Sequence, residues 1–331
     1  MTTKILLPCL LLGLAEATAF PSCDATTTEP FFEETTTEES APDIPLELQV
    51  QGQSGKFTLV PKGSSGASVG IRVTMDALRE VDADGEAVGT SGAVKHSIQT
   101  FASQDFTVGD METVRIGSGV SAAKVSFDST ISEIGRIGVD TYVMAQSGTV
   151  GMSNESWQVS IGDLKWNIRL WDWTWCDGSN CKKGQTEQVG AFVELDITVQ
   201  NLGGGSANQG SGKSVSLGSN ATLELSTQVQ RDCAWEQLPV GFPSIGTQGS
   251  QTTITFRFPR FETSCLYDPV LSGAAEEMGV DVGSGTNYYY YYYSYYYTTT
   301  PAPAPDDYAV SAAAPAALGA AALCSLSAVA V

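Results

Sequence analysis

The stretch of sequence that decides the fold runs from Lys165 to Cys181 and reads KWNIRLWDWTWCDGSNC. It holds four of the six tryptophans of the chain, and a cysteine pair closes it. Side chains of a β-strand alternate between two faces, so Trp166, Ile168 and Leu170 share one face. The tryptophans that follow fall on the other face. The stretch therefore predicts a β-strand whose polarity inverts part-way along.

Two interpretations of this inversion are open. A β-bulge near residues 170–171 would return the later tryptophans to the core. Without a bulge, Trp171, Trp173 and Trp175 would stand exposed beside Arg169 as a glycan-binding surface on which sugar rings stack. Because an exposed patch of three indoles would favour aggregation, we prefer the bulged core strand.

Short alternating runs continue through residues 46–272, separated by Gly, Asn, Asp and Ser. No sustained helical period is present, and residues 75–81 are the best short helical candidate. The pattern predicts thirteen strands, at 46–50, 56–60, 68–76, 94–101, 112–116, 123–131, 136–145, 156–161, 165–175, 191–200, 214–217, 222–230 and 252–258. We therefore expect an all-β fold: one large antiparallel, jelly-roll-like β-sandwich with disordered N- and C-terminal flanks.

The flanks differ in composition from this domain. Residues 1–19 are typical of a secretory signal peptide, with an apolar run and a small-residue cleavage site. Residues 20–45 form a Thr/Glu-rich spacer with seven acids and no base. Residues 273–308 form a stalk in which a run of nine tyrosines at 288–297, interrupted by one serine, is followed by Thr, Pro and Ala. Both flanks lack the apolar content that a packed core needs.

Residues 309–331 are uncharged and rich in alanine, which indicates a hydrophobic C-terminal anchor signal. A spanning helix would fit this length, but no basic residue follows the segment. Small residues before an apolar tail favour a glycosylphosphatidylinositol (GPI) anchor, with Ser311 as the candidate attachment residue. We therefore expect an extracellular protein held at the cell surface by a lipid anchor.

Secretion implies an oxidising compartment, in which cysteines pair. We expect the pairs Cys176–Cys181 and Cys233–Cys265, with Cys23 left free or intermolecular. The two sequons predict N-glycans on Asn154 and Asn220.

The formal net charge is -20, from 37 acids and 17 bases. Such a field excludes nucleic acid as a partner and favours cations.

His96 is the single histidine, and the Cys/His spacing fits no zinc pattern, so we predict no metal site. Residues 82–86 (DADGE) have the spacing of a calcium loop but lack its twelfth-position glutamate, and Asp-Gly is a strong turn signal. We expect a hairpin turn there and no cofactor, with Ca²⁺ as the one candidate ion.

Glu194 and Asp196 resemble part of the E-x-D-x-x-E active site of laminarinase-like glycosidases. The third position is Val199, and no acid/base partner is supplied. The strict alternation of residues 191–200 indicates the solvent face of an amphipathic strand instead. A degenerate glycosidase is therefore the weakest functional interpretation.

Five blocks occur in a characteristic order: GIRVTMDALREV at 70–81, FASQDF at 101–106, GVSAAKVSF at 119–127, NESWQV at 154–159, and residues 163–176. Together they resemble the extracellular domain of the coral acidic skeletal organic matrix proteins, also called skeletal aspartic acid-rich proteins. The resemblance covers about residues 68–199. The chain departs from those proteins in lacking aspartate runs.

The resemblance implies a secreted, acidic matrix or cell-surface protein associated with calcium or carbonate mineral, and it implies no catalytic residue. We therefore predict a non-enzymatic extracellular protein that displays a glycosylated acidic β-sandwich. Its expected partners are matrix or cell-surface components, glycans or mineral, together with the membrane through the lipid anchor. The alternative is a lectin-like module that uses the tryptophan strand.

Overall fold

The computed structural model describes residues 19–21, 23, 35–36, 44–52, 54–64, 68–90, 95–152, 155–183, 186–210 and 213–282. Several predicted features lie outside these residues: most of the signal peptide and spacer, the tyrosine run, the anchor signal with Ser311, and the sequon residue Asn154.

The described chain is almost entirely β-structure. Its strands are β1 Thr35–Thr36, β2 Leu46–Gln51, β3 Lys56–Pro61, β4 Ile71–Val81, β5 Ser97–Ile98, β6 Thr107–Val108, β7 Glu112–Ile116, β8 Val120–Ile131, β9 Gly135–Met144, β10 Gly148–Met152, β11 Glu155–Val159, β12 Leu164–Trp171, β13 Asp177–Lys183, β14 Thr186–Val189, β15 Phe192–Asn201, β16 Ala207–Gln209, β17 Ser214–Leu217, β18 Thr222–Glu224, β19 Gln228–Arg231, β20 Ala234–Gln237, β21 Ser244–Gln248, β22 Gln251–Pro259, β23 Ser264–Tyr267 and β24 Val270–Ser272. Helical turns occur at Phe101–Ser103 (3₁₀) and at α1, Ala274–Glu277.

Two antiparallel sheets face each other. The small sheet has the order β2-β3-β4-β15-β22-β21, with β5 on β4. The large sheet has the order β1-β7-β8-β9-β12-β24-β18-β17-β16, with β6, β19, β20 and β23 attached beside this path. Two hairpins, β10-β11 and β13-β14, pair separately. The predicted all-β sandwich is confirmed.

The core lies between the two sheets because alternate side chains of their strands point inward. Strand β15 shows this most simply: Val193, Leu195, Ile197 and Val199 are buried, and the residues between them face outward. Aromatic rings join the sheets, since Phe256 of β22 lies 4.6 Å from Tyr267 of β23 between ring centroids. Burial of such rings supplies much of the apolar area that stabilises the sandwich.

Strand β4 contains an irregularity that positions the candidate site. Asp196 pairs with Ala77 while Ile197 pairs with Met75, so Asp76 is an extra residue in the ladder. A bulge of this kind reverses the alternation beyond it. Glu80 consequently points into the protein. The predicted short helix at 75–81 is wrong, because its period of three arises from this bulged strand.

Strand β12 lies in the middle of the large sheet. It pairs with β9 on one side, and with β23 and β24 on the other. Its register with β9 is unbroken from Leu164 to Trp171. The predicted bulge near 170–171 is therefore wrong, although the chain direction changes directly afterwards.

The packed region continues beyond residue 272, where the sequence predicts the start of the stalk. Helix α1 buries Ala274 and Ala275, and Val280 packs against the main core. Asp163 holds the start of this segment, since its carboxylate accepts from the backbone N–H of Gly273 at 2.7 Å. Among the described residues, no helix has the length and apolar character needed to cross a bilayer.

Stability is expected to depend on pH through Asp163. Burial raises the pKa of this carboxyl from 3.8 to about 6, although N–H groups of Ser160 and Gly273 oppose the shift. Because the pKa is raised, the folded protein favours the neutral acid. The resulting contribution to the free energy of unfolding is fully present below about pH 4 and is lost as the pH rises through 6. As the pH rises from 4 to 7.5, the free energy of unfolding of Asp163→Asn should therefore increase by about 2–3 kcal/mol relative to that of the parent protein. Urea unfolding across this range measures the difference, and a difference that does not change with pH would contradict the assignment.

Candidate functional site

The three later tryptophans of the 165–181 stretch separate into two environments. Trp171 ends β12 on the outer face of the large sheet, where it is nevertheless 2% exposed. Phe20 covers it edge-on, with ring centroids 5.5 Å apart. The guanidinium groups of Arg136 and Arg169 lie 4.9 Å and 5.4 Å from its ring. Residues next to the predicted signal cleavage site therefore close this face.

Beyond Trp171 the backbone turns sharply. Asp172 adopts a positive φ of 53°, a conformation that aspartate tolerates better than most residues. This turn carries Trp173 and Trp175 away from the line of the strand and into the main core. Their indoles are 8% exposed, and their ring centroids are 6.2 Å apart. A glycine at 135 is required there, because a Cβ atom would lie 2.9 Å from the Trp173 ring.

The predicted glycan-binding surface of Arg169, Trp171, Trp173 and Trp175 is therefore corrected. Stacking on a sugar needs an open ring face, and all three indoles are buried. Arg169 is also engaged, with Nη2 2.9 Å from Asp140 Oδ1. The preferred interpretation correctly predicts that the tryptophans are buried. The cause is the turn at Asp172 and not the predicted bulge near residues 170–171.

A fully buried carboxylate, Glu80, receives the end of this stretch. Its Oε2 accepts from Trp173 Nε1 at 3.2 Å and lies 2.7 Å from His96 Nδ1. Its Oε1 accepts from the backbone N–H of Cys176 at 2.8 Å. Both Glu80 and His96 are almost inaccessible, at 0% and 3% exposure. We call Glu80, His96, Trp173, Cys176 and Cys181 the Glu80 centre.

The Glu80 centre is the part of the site that sequence reasoning missed. From sequence, His96 is predicted to be a structural or surface residue, and no role is predicted for Glu80. The sequence signal that could reveal this site is the spacing within 75–81, where apolar residues recur every three residues and not every two. If this spacing is recognised as a bulge, it predicts that Glu80 points into the core.

The structure pairs Cys176 with Cys181, with their Cα atoms 5.3 Å apart. The predicted Cys233–Cys265 pair is wrong, and so is an unpaired Cys23, because Cys23 is bonded to Cys233. Cys233 lies half-buried in the turn between β19 and β20, where its φ is 67°. Cys265 instead points into the core as a free thiol, and burial raises its pKa well above the usual value.

The two acids of the glycosidase-like pattern belong to an ionic network on the outer face of the small sheet. Glu194 lies between Arg79 and Arg257, at 2.5 Å from each. Asp196 lies 2.5 Å from Arg79 and accepts from Thr255 Oγ1 at 2.6 Å. Every oxygen of the two carboxylates therefore has a protein donor. The pattern is a structural ladder of charges on an outward strand face.

Residues 82–86 form a turn that leads out of β4. Asp82 Oδ1 accepts from the backbone N–H groups of Asp84 and Glu86, at 3.0 Å and 2.9 Å. This is the usual way in which aspartate closes a turn. The geometry agrees with the expected hairpin turn.

Exposed charge in the described residues is strongly acidic. The exposed bases are three: Lys95, Lys182 and Arg260. The exposed acids are twelve: Asp84, Glu86, Asp105, Asp110, Glu112, Glu133, Asp172, Asp177, Glu187, Glu262, Glu276 and Asp281. The sequon residue Asn220 is also exposed, as a glycan acceptor must be.

The facing sheets, the buried carboxylate centre and this exterior define an acidic β-sandwich module. The chain belongs to the acidic skeletal organic matrix protein family, whose model matches residues 20–214 and 205–290. The resemblance found in the five sequence blocks is confirmed, and it extends well beyond residues 68–199. The family name points to a structural, extracellular matrix protein related to biomineralisation. No solved structure matches the chain significantly.

Glu80 is expected to be a main determinant of stability. Glu80→Ala leaves His96 and two N–H donors buried without their acceptor, and should lower the free energy of unfolding by about 3–5 kcal/mol. Glu80→Gln keeps one acceptor and should cost about 1–3 kcal/mol. The matched control is Glu86→Gln, an exposed site, where a change within about 0.5 kcal/mol is expected. Chemical denaturation measures all three, and a Glu80→Ala protein as stable as the control would refute this role.

Proposed function

We propose that this protein is a non-enzymatic component of a mineralising extracellular matrix, and that its acidic exterior attracts calcium and carbonate mineral. The observation that carries the proposal is the sorting of charge by the fold. Acids predominate among the exposed charged side chains, whereas most bases are at least half-buried. A surface field of one sign raises the local concentration of counter-ions.

Several of the buried and half-buried bases are paired with acids within the fold. Arg79 and Arg257 pair with Glu194, Arg169 pairs with Asp140, and the buried Lys165 pairs with Asp268. These pairs remove positive charge that would otherwise repel cations at the surface. The spacer at 20–45 adds seven acids and no base in sequence. Among the described residues, the exposed surface carries twelve acids against three bases.

Carboxylates are the ligands that Ca²⁺ prefers, but separate surface carboxylates hold it weakly. The proposed interaction is therefore distributed over many acids and sensitive to salt. This mode needs no aspartate run, which is consistent with the absence of such runs from the chain. The N-glycans at Asn154 and Asn220 stay predictions, and so does secretion through residues 1–19.

Adsorption to calcium carbonate tests the proposal. The triple variant Asp105→Asn/Asp110→Asn/Glu112→Gln removes three exposed charges, and it should weaken retention on calcite powder at low salt. Retention of the parent protein should also fall towards zero at 1 M NaCl, where the screening length is about 3 Å. The matched control, Ser118→Ala/Ser132→Ala/Gln146→Ala, changes exposed neutral residues and should bind like the parent. Equal retention of the parent and the charge variant, or retention unaffected by salt, would contradict the proposal.

We also propose that residues 309–331 direct attachment of a GPI anchor, which would hold the protein at the cell surface. The support is the uncharged, alanine-rich composition of the segment and the small residues around Ser311. Phosphatidylinositol-specific phospholipase C should release the protein from intact expressing cells into the medium. Ser311→Leu should reduce the released amount if this residue carries the anchor. Protein that stays with the membrane after treatment would indicate a spanning helix instead.

A further inference from the structure

Three residues that can bind a metal ion meet beside Glu80. His96, Cys176 and Cys181 each offer one ligand atom, and these atoms lie within 4.8 Å of one another. All three side chains are buried, at 3%, 0% and 3% exposure. The sequence separates His96 from Cys176 by 80 positions, so no spacing pattern reveals this cluster. Only the fold brings the imidazole to the cysteine pair.

The imidazole is oriented as metal-binding histidines are. Its Nδ1 lies 2.7 Å from Glu80 Oε2, which leaves Nε2 as the available ligand nitrogen. A carboxylate on the second ring nitrogen is the usual partner of a metal-bound histidine, because it fixes the ring and raises its basicity. Trp173 Nε1 donates to the same oxygen at 3.2 Å and holds the carboxylate in place.

The position of Cys176 is also held by contacts that do not involve the disulfide. Its backbone N–H donates to Glu80 Oε1 at 2.8 Å, and its carbonyl accepts from the N–H of Gly190 at 2.9 Å. Gly89 packs against the pair from the other side, where a Cβ atom would lie 2.9 Å from Cys176 Sγ. Because these contacts do not depend on the disulfide, we expect His96 and Cys176 to keep their relative positions when it is reduced.

We propose that the Glu80 centre is a redox-gated site for a soft or borderline metal ion such as Zn²⁺ or Cu⁺. A dithiol reductant transfers two electrons and two protons to the Cys176–Cys181 disulfide and becomes a disulfide itself. The two thiols then lose their protons as the metal binds Cys176 Sγ, Cys181 Sγ and His96 Nε2. A water molecule or a small external ligand completes the coordination, and oxidation of the thiolates by a disulfide releases the ion.

The donor set decides the class of metal. Thiolate and imidazole ligands select Zn²⁺ and Cu⁺, whereas Ca²⁺ requires oxygen ligands. The site is thus chemically distinct from the exposed carboxylates, and its failure would leave the proposed function untouched. The other disulfide, Cys23–Cys233, and the free thiol of Cys265 belong to no such cluster within the described residues.

Cobalt titration of the full chain tests the proposal, because Co²⁺ replaces Zn²⁺ and gives intense thiolate-to-metal absorption. Protein reduced by dithiothreitol, freed of the reductant and kept under argon, should bind one Co²⁺ per chain, and Zn²⁺ should displace it. The oxidised protein should show no thiolate band. Glu80→Gln should lower the affinity 10- to 100-fold, as happens when the carboxylate that orients a metal-bound histidine is lost. His96→Ala should lower it at least as much.

Two further variants make the test decisive. Cys23→Ser/Cys233→Ser removes the other disulfide and should leave the cobalt spectrum unchanged, whereas Cys176→Ser/Cys181→Ser should abolish it. Far-UV circular dichroism follows the fold in parallel. The proposal is overturned if folded, reduced protein shows no thiolate band. It is equally overturned if the band survives in Cys176→Ser/Cys181→Ser, or if reduction unfolds the β-sandwich.

Discussion

The buried carboxylate of Glu80 is the interaction on which the arrangement of the candidate site depends. It lies in the small sheet, yet it accepts hydrogen bonds from the segment that leaves the large sheet, through Trp173 and Cys176. A carboxylate without partners would be very costly to bury, so its donors must all be in place together. The turn at Asp172, the close approach at Gly135 and the position of His96 follow from this requirement.

Both outer faces of the sandwich hold charged side chains in ion pairs. On the large sheet, Lys165 pairs with Asp268 and Arg169 pairs with Asp140, and Phe20 lies against Arg169. On the small sheet, Glu194 is enclosed between two arginines. In both places opposite charges lie in contact, because a buried charge is tolerated only when it is paired. The acids left over face solvent. The acidic exterior therefore reflects the excess of acids over bases in the sequence, which the internal ion pairs leave unchanged. It links the architecture to membership of an acidic matrix family.

Several elements were predictable because they depend on local alternation. Strands β7 and β17 have the predicted bounds, and β15 differs from the prediction by one residue at each end. The short strands β1, β6, β10, β13, β14, β16, β20, β21, β23 and β24 were missed, because their residues alternate weakly or lie in Gly-rich and Thr-rich segments. The bulge was expected in the tryptophan strand and occurs in β4. Both positions show a break in periodicity, and periodicity alone does not tell a bulge from the end of a strand.

The amino-acid sequence by itself determined the all-β class, the family, the acidic balance and the burial of the tryptophan stretch. These follow from composition and from patterns within a few residues of each other. Tertiary structure alone decided where each tryptophan went, that Cys23 pairs with Cys233, and that His96 meets Glu80 and the Cys176–Cys181 pair. Those contacts join residues that are distant in the chain. They depend on sheet order, and on the reversal of side-chain direction that one extra residue in β4 produces.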